Sequence, residues 1–180
     1  MVKVIVPPEK EPVTVDELRM WMQCAPITPE QEPQALSILK AGREEAEAFQ
    51  NAAYCEQTLQ IAPDRLSGAI VLPRPPFRAL QSVVLFSPDG SQTDITESVV
   101  VDDISFPAEL RLKDGVGIPC PLRVTNPILI TYTAGYDAVP ERVKHAILLY
   151  ATWAWLHRAG GEPVPAAFYN LLRKRRVVPV

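Results

Sequence analysis

The stretch Ile128–Arg158, ILITYTAGYDAVPERVKHAILLYATWAWLHR, decides the architecture. It reads as a buried strand, a tight glycine turn and a long helix. The segment 124–133 is rich in β-branched residues, with Ile128, Ile130 and Tyr132 alternating against Leu129, Thr131 and Thr133. Gly135 supplies a residue free to take positive φ, and Pro140 marks a helix start. On a helical wheel Val143, Ile147, Tyr150, Ala154 and His157 share one face. Leu148, Leu149, Trp153, Trp155 and Leu156 cover most of the rest, so almost no polar face is left beyond Ala146. A helix apolar all round is a buried one. The expectation is that one side packs inside the subunit, and that Leu148, Leu149, Trp153, Trp155 and Leu156 reach a neighbouring subunit. The helix is too short, and too rich in Tyr, Trp, Thr and His, to be read as a membrane span.

Working outward, Gly160-Gly161 ends this helix and Pro163 and Pro165 forbid its continuation. A short helix over 166–173 follows, with Phe168, Leu171 and Leu172 as its apolar side. Arg173, Lys174, Arg175 and Arg176 suit a helix C-terminus, and Val177-Val178-Pro179-Val180 forms an apolar end. Upstream, residues 57–112 change period from helix to strand. Short runs at 57–61, 69–72, 79–87, 91–96, 99–101 and 109–112 are separated by turn signals, Pro88-Asp89-Gly90 above all. They predict a small antiparallel sheet or sandwich.

Nearer the start, Thr14-Val15-Asp16-Glu17 is a capping box that opens a short helix with Val15, Leu18 and Met22 inward. Pro26 to Pro33 is a linker. A longer helix then carries Ala35, Leu39, Gly42, Ala46, Phe49 and Ala53 as its core stripe, with Lys40, Arg43, Glu44, Glu47 and Asn51 opposite. Its small residues invite close approach of another helix. Val2 to Val6 is an arm or an edge strand. The sum is an α+β fold: a helical core of long central helices with a small antiparallel β-rich insertion. The expected organisation is a single domain over 1–180, with N-terminal helices in 12–56, the insertion in 57–134, C-terminal helices in 138–175 and a tail in 176–180.

Composition narrows the function. With 47% hydrophobic and 22% charged residues, the 180-residue chain is of globular type. The net charge is −3 although four consecutive basic residues sit near the end, so the body is acidic and the tail basic. That balance argues against general nucleic-acid binding. The 19 prolines, about twice the usual share, mark joints between elements. Cys24, Cys55 and Cys120 are scattered and form no CxxC pair, which reads as reduced thiols of an intracellular protein. No signal-peptide core opens the chain.

No catalytic pattern emerges. His145 and His157 are about 120° apart on the helix and cannot share one metal ion. The adjacent carboxylates Asp102 and Asp103 point to opposite faces of a strand and read as an exposed loop pair. P-loop, GxGxxG and zinc-ligand spacings are absent, so no cofactor and no metal are expected. Tyr132, Tyr136 and Tyr150 read as core or turn residues.

Taken in order, PVTVDELRMWM, ILKAGREEAEAFQNAAY, QTLQI, LPRPPFRALQSVVLFSPDGSQTDI and ILITYTAGYDAVPERVKHAILLYATWAW resemble the head–tail connector, or adaptor, proteins of tailed phages, prophages and gene transfer agents. The resemblance runs from about Pro12 to Arg173 and rests on the order and spacing of these pieces. The Pro-rich 26–33 linker and the VVPV end depart from it.

The resemblance implies a structural virion protein and not an enzyme. It implies a homo-oligomeric ring, usually of twelve copies, placed beneath the portal protein. The ring would extend the DNA channel without sequence-specific binding and offer a surface to the stopper or another neck protein. It implies location in the virion neck, after assembly in the bacterial cytoplasm, and no membrane. Mapped here, the portal-docking tail would be Leu171, Leu172, Arg173, Lys174, Arg175, Arg176, Val177, Val178, Pro179 and Val180. An alternative from the residues themselves is a small nucleic-acid-binding protein using the basic C-terminal run, with steep salt dependence. A third is a small intracellular enzyme whose site is assembled from distant residues, which a pocket holding two of Asp102, His145 and His157 within hydrogen-bond reach would support.

Overall fold

The computed structural model describes residues 2–23, 27–118, 121–158 and 160–175. Cys24, Pro26, Cys120 and residues 176–180, the second half of the expected docking tail, lie outside them. The chain divides into two compact units. One comprises the chain up to Glu9 and Glu56–Tyr136; the other comprises Lys10–Cys55 and the chain from Asp137 onward. The first is β-rich and the second helical, so the fold is mixed α+β.

The β-rich unit has eight strands among the described residues: β1 (Val2–Val6), β2 (Gln57–Ile61), β3 (Ile70–Val71), β4 (Phe77–Phe86), β5 (Gln92–Asp94), β6 (Val99–Asp102), β7 (Glu109–Leu112) and β8 (Ile128–Ala134). They form a five-stranded sheet in the order β1-β2-β8-β4-β5 and a three-stranded sheet in the order β3-β7-β6. Every pairing is antiparallel. Strand β8 lies in the middle of the larger sheet. Ile128, Ile130, Tyr132 and Ala134 are fully buried, while the residues between them are partly exposed. This is the alternation the sequence predicts for a sheet with one covered face. The Tyr132 hydroxyl is satisfied by the carbonyl of Pro73, as a buried phenol requires, and burial raises its pKa.

Strand β8 starts at Ile128, four residues later than the β-branched run suggests. Asn126 adopts a left-handed conformation, φ 49°. Its carbonyl accepts from Arg123 Nε and Nη2 at 2.9 and 2.7 Å, and the Arg123 guanidinium lies 3.8 Å from the centre of the Phe86 ring. These contacts turn the chain before Pro127 and leave Val124 97% exposed. The β4–β5 hairpin forms as read. Gly90 has φ +87°, and Asp89 Oδ1 accepts from the Ser91 amide and hydroxyl at 3.0 and 2.7 Å.

The helical unit holds α1 (Val15–Trp21), α2 (Glu32–Gln50), α3 (Glu141–Leu156) and α4 (Ala166–Leu172). The capping box is present: the Glu17 amide donates to Thr14 Oγ1 at 3.1 Å, and Glu17 Oε2 accepts from the Thr14 amide at 2.7 Å. On α2, Ala35, Leu39 and Ala46 are buried as expected. Gly42 explains the close approach of α3, because a Cβ there would sit 2.9 Å from Cδ1 of Tyr150.

Two expectations are corrected. Arg43 and Glu47, read as part of the solvent face of α2, are buried at 6% and 3% exposure. They are buried because they are paired. Arg43 Nε donates to Glu11 at 2.8 Å and Nη1 to Glu47 at 2.9 Å, while the other Glu47 oxygen accepts the Tyr54 amide at 2.8 Å. Burial works against the Arg43 charge, but the hydrogen bond to Glu11 and the charges of Glu47, Glu11 and Glu44 outweigh it and raise its pKa. The second correction concerns α3, which ends at Leu156 rather than running to Arg158. The Trp153 carbonyl still accepts the helical amide of His157, at 2.9 Å, and side chains add to the contacts at this end. Arg158 Nε donates to the Trp155 carbonyl at 2.9 Å, and His157 Nδ1 lies 2.8 Å from that of Trp153.

Candidate assembly surfaces

The face of α3 expected to meet a neighbour is divided by the structure. Leu148 and Trp155 are 7% and 5% exposed within the chain itself, so they belong to the subunit interior and the expectation is corrected for them. The Arg158 guanidinium covers the Trp155 ring at 3.9 Å. Leu149 and Trp153 are half-buried, and Leu156 is 60% exposed. Trp153 packs against Tyr150 and His157, with ring centres 5.6 and 6.2 Å apart. The outward part of this face is therefore Leu149, Trp153 and Leu156. The helix is not apolar all round near its start, where Glu141, Arg142 and His145 are exposed.

A second apolar patch on the helical unit went unread in the sequence. Met20 and Trp21 end α1 at 68% and 44% exposure. Trp21 packs on His145, with ring centres 5.6 Å apart. Together with Val13, Glu17, Glu141, Lys144 and Leu148 they line a groove of about 310 Å³. The available signal was two adjacent large apolar residues, Met20 and Trp21, at the end of a short helix whose inward side is already filled by Leu18 and Met22.

The C-terminal segment is also divided. Leu172 is fully buried, and its carbonyl accepts from Gln50 Nε2. Gln50 Oε1 in turn accepts from the Tyr54 hydroxyl at 2.8 Å. Leu172 is thus part of the packed fold rather than of a free tail, and Leu171 is half-buried. Arg173 and Lys174 are exposed on a 3₁₀ turn, Arg173–Arg175. Arg173 borders a groove of about 580 Å³ lined by Phe49, Ala166, Tyr169 and Asn170. Phe49 and Tyr169 are in ring contact at 5.0 Å, and the Tyr169 hydroxyl donates to Glu45 at 3.0 Å. The expected docking residues Arg176, Val177, Val178, Pro179 and Val180 lie outside the described residues.

Asp102 is exposed and spends its oxygens on the amides of Ile104 and Ser105 and on the Ser105 hydroxyl. Those bonds lower its pKa, the Ser105 hydroxyl contributing most. His145 and His157 are separated by about 18 Å along the helix axis at 1.5 Å per residue. Among the described residues no group of three or more His, Cys, Asp or Glu could hold a metal ion, and no helix is long and apolar enough to cross a membrane.

No family model matches the chain, and no curated protein matches it. Solved structures do. A chain in the neck of an empty gene transfer agent particle, computed with C6 symmetry, aligns with a TM-score of 0.79 at 19% identity, covering 100% of this chain and 97% of that one. A chain in the virion of a native gene transfer agent particle aligns with the same score, identity and coverage. A chain in the neck of a native particle, computed with C12 symmetry, aligns with a TM-score of 0.75 at 20% identity and the same coverage. These particle structures share the chain's fold over its whole length, in agreement with the connector resemblance that the sequence carries from about Pro12 to Arg173.

Proposed function

We propose that this chain is a structural protein of the neck of a phage or phage-like particle. Copies form a ring, of twelve by the connector resemblance, between the portal and the stopper or another neck or tail protein. The ring extends the DNA channel, and the chain acts as an adaptor rather than an enzyme. Its place is the virion neck, after assembly in the bacterial cytoplasm. The observation that carries this reading is the full-length likeness to chains in gene transfer agent necks computed with C6 and C12 symmetry.

Two features support it. Leu149, Trp153 and Leu156 leave part of α3 free for a ring neighbour. Heterologous contacts of that kind close into a ring by rotation. The acidic body lets DNA slide rather than stick. The helical unit is the core of one connector domain, and the β-rich unit is its insertion.

Portal docking is assigned to the segment from Arg173 to Val180. Leu171 and Leu172 are left out of it, since removing them would damage the packing under α4. The test is a portal pull-down with a chain that ends at Arg175 and carries Arg173→Ser and Lys174→Ser. Loss of portal binding with an unchanged thermal melt is the expected result; full retention would refute the tail assignment. DNA binding that falls steeply with salt and vanishes in this same variant would favour the nucleic-acid alternative.

A further inference from the structure

The run Leu72-Pro73-Arg74-Pro75-Pro76 joins β3 to β4, and its central residue is strained. Arg74 has φ +57°. Positive φ drives the Cβ of an L residue toward the following carbonyl, and a residue before proline is confined to extended φ as well. Glycine would fit this position best. The chain on either side holds the conformation in place. The Leu72 amide donates to the Ala108 carbonyl at 2.8 Å, the Pro73 carbonyl accepts from the Tyr132 hydroxyl, and the Pro76 carbonyl accepts the Gly135 amide at 2.9 Å. Leu72 and Pro75 are buried. Strain of this kind persists only where the surroundings enforce it, and it collects at binding and switch sites.

The side chain of Arg74 is also set apart. Arg19, Arg43 and Arg123 are, like Arg74, partly or wholly shielded from solvent. Arg19 holds Asp16 and Glu32, Arg43 holds Glu11 and Glu47, and Arg123 holds the Asn126 carbonyl. Arg74 has no hydrogen-bond or ion-pair partner among the described residues. A half-shielded guanidinium without a partner is ready to take a carboxylate, which it grips through two parallel hydrogen bonds.

Resting on the ring reading, we propose that Arg74 holds a carboxylate of the next copy in the ring. The charge balance of the chain favours such a partner. The net charge is −3 although four consecutive basic residues sit near the end, so the body of each copy offers carboxylates to its neighbour. Asp103 and Asp114 are exposed and have no ion pair among the described residues. A cation meeting a carboxylate on a different surface of the next copy is a head-to-tail contact, which repeats until the ring closes. The strain at Arg74 is then the consequence of presenting an arginine where the backbone favours glycine.

The test assembles rings on the portal from the unaltered chain, from Arg74→Gly and from Arg74→Lys. Arg74→Gly removes the cation and the strain together. The melting temperature of the free chain should therefore hold or rise, by up to about 4 °C, while ring occupancy falls at least about tenfold. Arg74→Lys keeps the charge without the planar fork and should restore occupancy only in part. A cryo-electron microscopy map of the unaltered ring should place the Arg74 guanidinium within about 4 Å of a carboxylate of the next copy. Unchanged occupancy with Arg74→Gly would overturn the assignment and leave the ring standing. A lower melting temperature for Arg74→Gly would overturn it too, by showing that Arg74 serves its own fold. Arg74 beside a DNA phosphate or a portal side chain in the map would overturn it in favour of that contact. No ring from the unaltered chain would overturn the ring reading and this proposal with it.

Discussion

Replacing Arg43 by Met should destabilise the protein severely, and the size of the loss follows from the network it serves. The Arg43, Glu11 and Glu47 side chains are 7%, 9% and 3% exposed, so neither ion pair is a surface pair. The third partner, Glu44, is 3.5 Å away and 69% exposed; solvent screens that contact, and it adds little. Met fills the volume of the Arg stem but leaves two buried carboxylates without their cation. Breaking a buried pair on one side costs about 3–5 kcal/mol. For a protein of this size that is a fall in melting temperature of roughly 6–20 °C.

Urea unfolding with an unchanged m-value is the assay. Glu47→Gln keeps an acceptor for the Tyr54 amide. The double variant Arg43→Met/Glu47→Gln should therefore lose less than the two single losses combined, by about 1–3 kcal/mol. A loss below about 1 kcal/mol for Arg43→Met, the range of exposed pairs, would refute the account of this network.

Other expectations are simpler. Gly42→Ala gains about 1 kcal/mol of helix propensity but forces a methyl against Tyr150, which is itself held between Trp153 and Phe168. Overpacking of that kind costs about 1–3 kcal/mol, so the variant should be no more stable than the parent; a clear rise in melting temperature would show that α3 is free to shift. Cys55 should resist alkylation at pH 8, because burial, then the Glu11 and Glu47 charges, push its thiol up to about 11. Only the thiolate reacts, so modification should speed up through pH 9–11 and on unfolding; rapid labelling of the folded chain at pH 7 would contradict this. Thr14→Ala removes half of the capping box and should cost about 1 kcal/mol in a urea titration; no loss would mean that α1 is held by its packing alone.

Local patterns were legible in the sequence wherever one rule governed the outcome. Alternation fixed the covered face of β8, the Thr14–Glu17 spacing fixed the start of α1, and Pro88-Asp89-Gly90 fixed the hairpin. Gly42 was read correctly because a glycine in a helix stripe costs stability unless something comes close. The misreadings came where side chains from distant segments act together. Nothing local says that Arg43 and Glu47 will be buried, because the partner that makes it possible, Glu11, is supplied by the chain before α1. The end of α3 was overrun because its stop was read at Gly160-Gly161, whereas the helix ends at Leu156 and Arg158 turns back onto the Trp155 carbonyl. Burial of Leu148 and Trp155 could not be separated from exposure of Leu156 on a wheel where all three are apolar; only the packed structure divides them. The edge position of β1 was legible in VKVIV, but the exposure of Val4, Ile5 and Val6 was not.

The central claim is that this chain builds a neck ring on a portal. The direct measurement is cryo-electron microscopy of the protein mixed with the portal protein of the same particle. The account predicts a closed ring stacked on the portal, with the segment after Leu172 ordered against it. A folded portal and a folded chain that remain separate at high concentration of both would contradict it.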